Sequence, residues 1–386
     1  MQSFRNLQHH LDRVRPDIVS ALVAASEARG RQEAFMRRRP DDLESLRQIA
    51  LVQSVESSNA IEDIHAPPKR IKELVADKAT PQNRSEAEIA GYRLVLDTIH
   101  ANALNIPFEP KYVEQLHGYM ARFTGDSTAG KWKKLDNEVQ ERRPDGTVKI
   151  RFRPVDAVDV DAAMTELHDR LNAERTAGTY NHLLLTAAYV FDFLVIHPFR
   201  DGNGRMSRLL TLWLLYLADF QVGRYISLEK LIEDSKETYY DALASSTAGW
   251  HEGKHDLQPW LRYFLGIIIA AYKEFEERTS ILSGRGAKRA RIERFIKTSL
   301  SNEFTVGDLR NASPGASDSY ITRILIDLKE RGIIERIGAG RGSKWRRLRS
   351  DFGDDATSIA TPVPRPAPPA PVNNRSAPSP VAGRCP

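Results

Sequence analysis

The chain changes character abruptly at residue 197. Over residues 183–196, about 14 positions run almost wholly apolar, interrupted by Asp192. A membrane span needs about 20 such residues, so this run has the length of a helix buried in a core. It passes without a spacer into His197-Pro198-Phe199-Arg200-Asp201-Gly202-Asn203-Gly204-Arg205-Met206-Ser207-Arg208, and a second apolar helical run follows over 205–220. Few chemistries need a polar loop of this composition between two buried helices. Gly202 and Gly204 permit unusual dihedrals and close approach of a ligand. A helix starting near Arg205 points its free N–H groups at the loop, and such a terminus attracts anions. Arg205 and Arg208 stand three apart on one helix face, and two guanidinium groups beside an anion nest suit a polyphosphate. Asp201 is placed to hold a Mg²⁺ that bridges phosphate oxygens. His197, at the end of the preceding helix, has an ordinary pKa near ~6.5 and can accept a proton from an attacking hydroxyl.

Taken singly, these residues are unremarkable. A histidine at a helix end is often a cap, and Asp-Gly-Asn-Gly is often a plain turn. Their concentration in one short stretch carries the argument. The stretch resembles the Fic signature, H-P-F-x-x-G-N-G-R-x-x-R, and matches every specified position. The resemblance implies an all-α core whose loop binds ATP. It implies His197 as the base that activates a Ser, Thr or Tyr hydroxyl, and Asp201 as the Mg²⁺ ligand. Asn203 and Arg205 would hold the α/β phosphates with backbone amides of Gly202 and Gly204, and Arg208 would meet the γ-phosphate. Phe199 would pack under the loop. AMP would pass to a protein hydroxyl, the chain's own included, by in-line attack on the α-phosphorus.

The likeness extends over roughly residues 40–275. Strand-like runs at 133–141 and 147–153, around the turn Pro144-Asp145-Gly146, resemble the Fic flap, which pairs with an extended segment of a target protein. Of the pair Tyr239-Tyr240, one ring, assigned to Tyr240, would line the adenine pocket, with a core role as the alternative. Far upstream, Ser57-Ser58-Asn59-Ala60-Ile61-Glu62-Asp63 resembles the inhibitory helix S/T-x-x-x-E-G/N of Fic proteins. Ser58 and Glu62 fall in the informative places, and Asp63 stands where Gly or Asn is usual. Glu62 is expected to form a bidentate pair with Arg208, withholding it from the γ-phosphate. This places the chain in the subclass whose inhibitory helix precedes the core.

The expected architecture is mainly α: an N-terminal helical region at 1–105 with the inhibitory helix near 54–64, a Fic core with one β-hairpin flap at 106–282, a small winged helix at 287–349 and a proline-rich, disordered tail at 350–386. Helical signals fall at 42–64, 84–101, 159–175, 180–196, 205–220, 228–244 and 258–282. The winged-helix reading rests on a first helix at 289–300, a short second helix from Thr305, a recognition helix at 317–331 and wing strands at 333–337 and 344–348. This unit carries 15 Lys and Arg against 7 Asp and Glu, a local net charge of +8, out of +5 for the whole chain. Duplex DNA, a protein partner and a homodimer stay open as its occupants. Gly338-Ala339-Gly340-Arg341-Gly342-Ser343-Lys344 mimics a P-loop but neither ends in G-K-S/T nor opens a helix.

No apolar signal core follows Met1, no membrane partner is expected, and the lone thiol, Cys385, cannot form an internal disulfide, which fits a cytoplasmic protein. His251 and His255, separated by Gly253, read as a solvated turn and not as a metal site. Three activities stay in view: AMP transfer, removal of AMP or transfer of another phosphate-containing group on the same site, and a DNA-binding regulator whose core only senses ATP.

Overall fold

The computed structural model describes residues 1–38, 40–142, 148–283, 289, 292, 293, 295, 296, 303–313, 316–338 and 344–348. The Pro144-Asp145-Gly146 turn, most of the 289–300 helix, the P-loop-like run over 339–343, the tail and Cys385 lie outside the described residues. The chain divides into two compact units, residues 1–284 and 285–386.

The first unit is helical apart from one hairpin. Its elements are α1 (Gln2–Arg5), α2 (Leu7–Leu11), α3 (Pro16–Arg38), α4 (Pro40–Ala60), α5 (Pro68–Val75), α6 (Arg84–Asn102), α7 (Pro110–Met120), β1 (Val139–Arg142), β2 (Val148–Phe152), α8 (Val160–Ala177), α9 (His182–Ile196), α10 (Asn203–Leu217), α11 (Leu228–Asp234), α12 (Lys236–Thr247) and α13 (Gln258–Ser283). At the centre lie α9 and α10, buried along nearly their whole length. α9 and the second half of α10 are apolar nearly all round because other helices surround them: α8 and α13 pack on α9, and α6 and α4 on α10. Asn181 caps α9 by accepting from the Leu183 N–H at 2.8 Å. The one carboxylate of α9, Asp192, is fully buried. It accepts from the Ser3 hydroxyl at 2.7 Å and the Trp250 indole at 2.8 Å, so the hydrogen bonds that a buried carboxylate requires come from α1 and from the turn after α12.

Several boundaries depart from the sequence reading. The 228–244 helix is two helices, because Ser235 leaves the helical region at φ −118°, ψ 29°. Pro67-Pro68 both ends the approach from α4 and opens α5, with Pro68 at the first helical position, where a missing N–H is no loss. Of the run 133–141, only Val139 onward is strand; 133–138 is irregular and fastens onto the signature loop. The strands β1 and β2 pair antiparallel, Val139 opposite Phe152 and Gln140 opposite Ile150, with a bulge between Val139 and Gln140. His255 does not lie in a solvated turn. It is buried, with its Nε2 at 3.0 Å from the Ser3 hydroxyl and its ring 4.4 Å from that of His10.

In the second unit, β3 (Glu303–Phe304), a helix Val306–Ala312, a helix Asp318–Glu330, β4 (Ile334–Ile337) and β5 (Lys344–Arg347) follow in order, and the strands pair antiparallel as β3-β5-β4. Thr305 and Asp308 form a capping box at the start of the first helix. Phe304, Leu309, Ile321, Leu325, Leu328, Ile334 and Trp345 form a separate apolar core.

Candidate functional site

The helix α9 stops at His197, whose backbone turns left-handed (φ 52°, ψ 59°), and α10 starts at Asn203 behind Gly202 (φ 76°). Between them the chain is locked from both sides. Asn203 accepts the Phe199 N–H at 2.9 Å and returns its own amide N–H to the Phe199 carbonyl at 2.8 Å. The ring of Phe199 is fully buried and stacks on His117 at 3.8 Å, nearly parallel. From the irregular stretch before the hairpin, the Lys133 N–H donates to the Pro198 carbonyl at 2.8 Å, and the Asn137 amide donates to that of Phe199 at 3.3 Å. The Asn203 side chain, expected on phosphate, is thus committed to the loop. Its backbone N–H, in the first turn of α10, has no acceptor within the helix and can face a ligand.

His197 is half-buried and lines a cavity of about 340 Å³. Its Nδ1 lies 3.2 Å from the Leu194 carbonyl. A carbonyl can only accept, so Nδ1 carries the proton and Nε2 keeps its lone pair. Burial pushes the imidazole pKa down to about 4, with Lys133 adding to the effect and the Leu194 carbonyl opposing it. His197 is therefore neutral at pH 7, as an acceptor of protons must be. A second histidine is held in the other tautomer. The Gly130 N–H donates to His117 Nδ1 at 3.0 Å, leaving Nε2–H to donate to the Asp201 carbonyl at 3.1 Å. Burial lowers the His117 pKa to about 4 as well.

The cavity is lined by apolar side chains, among them Phe152, Leu194, Val195, Tyr239, Tyr240 and Leu243, and by Glu62, Asp201, Gly202, Gly204 and Arg208. Both tyrosines reach the wall. Arg151 of β2 lies over the Tyr240 ring at 4.4 Å, and with Val139 and Phe152 it makes the hairpin part of the cavity wall. The Asp201 side chain is 64% exposed; one of its oxygens accepts the Gly202 N–H at 2.7 Å.

Glu62 enters the cavity from the turn that follows α4. It was expected to grip Arg208 with both oxygens. It divides them instead: Oε2 accepts from Arg205 Nε at 2.9 Å, and Oε1 from Arg208 Nη2 at 2.8 Å. The second edge of Arg208 is taken by Ser58, whose hydroxyl and carbonyl each accept at 2.8 Å. Gly204 makes the approach possible, since a Cβ there would lie 2.3 Å from Glu62 Oε1. Asp63 adopts φ 59°, the left-handed exit for which Gly or Asn is usual and which Asp tolerates. Behind this, Glu88 of α6 accepts from Arg205 Nη1 at 2.8 Å.

Of the site residues expected from the sequence, Glu62, His197, Asp201, Gly202, Asn203, Gly204, Arg208 and Tyr240 line this cavity, while Ser58 meets it through Arg208 and Arg205 through Glu62. Those missed are Glu88, His117 and Lys133. Glu88 and Arg84 are four apart, an ordinary helix pair by spacing, and nothing local marks His117 or Lys133, because the carbonyls that tie them to the loop, those of Asp201 and Pro198, are remote in sequence. Among the described residues no cluster of three or more His, Cys, Asp or Glu could hold a metal ion, and no helix is long and apolar enough to cross a membrane.

Residues 107–215 match the Fic/DOC family. Protein adenylyltransferase fic-1 of Caenorhabditis elegans is 29% identical over 161 residues, 41% of this chain and 25% of that protein, so the match spans a quarter of the relative's length. Among solved structures, a Fic family protein from Desulfovibrio desulfuricans has a TM-score of 0.60 at 22% identity, covering 86% of this chain and 96% of the other. A Fic domain containing signaling protein from Bacteroides thetaiotaomicron has a TM-score of 0.55 at 19% identity, covering 67% and 97%. At these identities the structures speak for the fold.

Proposed function

From the Fic domain at residues 107–215, we propose that this chain transfers AMP from ATP to hydroxyl groups of proteins and is held in a repressed state by Glu62. The observation that carries the reading is an unprotonated His197 Nε2 in the same cavity as Arg208 and the glycine-bearing N-terminus of a buried helix, with Arg205 tied to that cavity through Glu62. The volume, about 340 Å³, lies within the range of small-ligand sites. The adenine and ribose take the apolar wall against Tyr240, and the phosphates take the turn Gly202–Gly204 with Arg205 and Arg208. An acceptor hydroxyl gives its proton to His197 Nε2. Its oxygen bonds to the α-phosphorus while the bond to the β-phosphate bridging oxygen breaks, and pyrophosphate leaves. Asp201 fits Mg²⁺, because an exposed carboxylate beside phosphate oxygens is the donor set this ion prefers; the ion would supply charge neutralisation at the phosphates. The acceptor segment docks as a third strand on the β1–β2 hairpin.

The repression follows from the fork of Glu62. Its carboxylate holds both arginines that the phosphates need, so ATP meets a phosphate site already filled by an anion. The inhibitory helix is α4, N-terminal to the Fic domain. In the second unit, the order of helices and strands reads as a winged helix. Its helix Asp318–Glu330 carries Asp318, Asp327 and Glu330 against Arg323 and Lys329, so it presents no basic stripe to a duplex. A protein partner, a second copy of this chain included, is the reading this composition favours.

The test is intact mass after incubating full-length Glu62→Gly with ATP and Mg²⁺, with the same variant carrying His197→Ala as control. A gain of about 329 Da per modified hydroxyl, absent from the control, is the expected result. A different increment points to another phosphate-containing group, and loss of pre-existing AMP to the reverse reaction. No change in any sample sinks transfer and leaves ATP sensing. Salt-independent failure of the full chain to bind duplex DNA is expected for the second unit; salt-sensitive binding overturns the protein-partner reading.

A further inference from the structure

Arg205 is nearly buried, with its side chain 5% exposed, and its three nitrogens face three different carboxylates. Nε donates to Glu62 at 2.9 Å, Nη1 donates to Glu88 at 2.8 Å, and Nη2 lies 3.8 Å from Asp201. Two of these partners change in the reaction proposed above: Glu62 must leave, and Asp201 must turn to a cation. Glu88 alone stays. It is buried on α6, and its other oxygen is held by Arg84 Nε at 2.9 Å. A buried guanidinium that loses its counter-ion is costly to keep in place, and this one is needed at a defined position. We propose that Glu88 is the positioning residue that keeps Arg205 aimed at the phosphates once Glu62 has withdrawn. The inference rests on the nucleotide-binding reading of the cavity. Glu88 touches neither nucleotide nor acceptor; it acts through Arg205.

Charge and position predict opposite signs here, which makes the idea testable. Removing a carboxylate near bound phosphates tightens ATP binding if net charge is all that counts. If Glu88 orients Arg205, its removal weakens ATP binding, because the guanidinium no longer stands where the phosphates are. The experiment uses the full chain in the Glu62→Gly background and titrates ATP and adenosine into Glu62→Gly, Glu62→Gly/Glu88→Gln and Glu62→Gly/Glu88→Asp. The expected result is ATP binding about tenfold weaker with Glu88→Gln, an intermediate value with Glu88→Asp, and adenosine binding unchanged. Equal or tighter ATP binding overturns the proposal, as does a parallel loss for ATP and adenosine, which a general loosening of the fold would produce. Melting curves accompany each titration; where Glu88→Gln does not fold, Glu88→Asp carries the same comparison, and ATP binding equal to that of Glu62→Gly overturns it. AMP transfer measured on the same samples separates the two claims. A Glu62→Gly protein that binds ATP in a Glu88-dependent way and transfers nothing sinks the transferase reading and leaves the role of Glu88 standing.

Discussion

The two ends of the loop between α9 and α10 are in different conditions. At the His197 end the groups are set for chemistry: the tautomer is dictated by the Leu194 carbonyl, burial keeps the ring neutral, and Asn203, Lys133 and Asn137 hold the carbonyls and N–H groups around it. At the Arg205 and Arg208 end the groups are occupied. Glu62 bridges both guanidinium groups, and Ser58 holds the far edge of one. On the proposed reading, repression therefore acts on how the triphosphate lies and leaves the base alone. A switch built this way is released by moving one carboxylate, with no rebuilding of the catalytic end.

The strongest way to break the comparison is at the prepared end. His197→Ala, placed in the Glu62→Gly background, is expected to lower AMP transfer by on the order of a hundredfold to ten-thousandfold, the usual worth of a general base, with ATP affinity within about twofold. A weakened ATP affinity of similar size would show that the two ends are not separate. At the occupied end, Glu62→Gly alone is expected to raise incorporation of label from α-labelled ATP by on the order of a hundredfold, since misplacing the reacting phosphorus by about 1 Å costs roughly that much. Labelling no greater than wild type would mean that the fork between Arg205 and Arg208 restrains nothing.

A smaller effect tests the lock on the loop itself. Asn203→Ala removes both hydrogen bonds to Phe199 and leaves a buried N–H without its acceptor, for an expected loss of about 1–3 kcal/mol in denaturant unfolding. An unchanged midpoint would show that the loop is held by its flanking helices alone. The smallest expected effect is in pH. The transfer rate of Glu62→Gly is expected to hold from pH 7 to about pH 5 and to fall below that as His197 gains its proton; the folded pKa of about 4 includes an upward pull from Glu62, so the variant's midpoint lies at or below it. A midpoint near 6.5 would place the base in an ordinary solvated setting. Stability is expected to fall over a related window. His197, His117, His168 and His255 all have folded pKa values lowered to about 4 by burial, so the unfolded chain binds more protons than the folded one between about pH 4 and 6.5. Their contribution is complete above about pH 6.5 and is lost as the pH falls towards 4.

Much of the candidate site was legible in the sequence because it is local. The signature loop gathers its imidazole, carboxylate, glycines and arginines within one short stretch, and a helix break places neighbours in sequence next to one another in space. The helices were legible for the same reason: the recurring apolar residues of α4, α6, α8 and α13, and the unbroken apolar run of α9, are properties of each segment alone. Boundaries failed where a local signal was ambiguous, as at Ser235, where one periodic run conceals two helices, and at Lys133, where a strand-like pattern belongs to a stretch that binds the backbone of a distant loop.

The sequence by itself determined that a loop carrying an imidazole, a carboxylate, two glycines and two guanidinium groups lies between two buried helices, since apolar runs must be covered and twelve consecutive residues cannot be far apart. Only the tertiary structure decided what meets that loop. Glu62 lies 143 residues from Arg205 and 146 from Arg208, and Glu88 lies 117 from Arg205. Their convergence depends on how α4 and α6 pack against α10. No spacing rule reaches that far, because contacts between helices are set by side-chain volume and burial across the whole core. The division of one carboxylate between two arginines is a product of that packing.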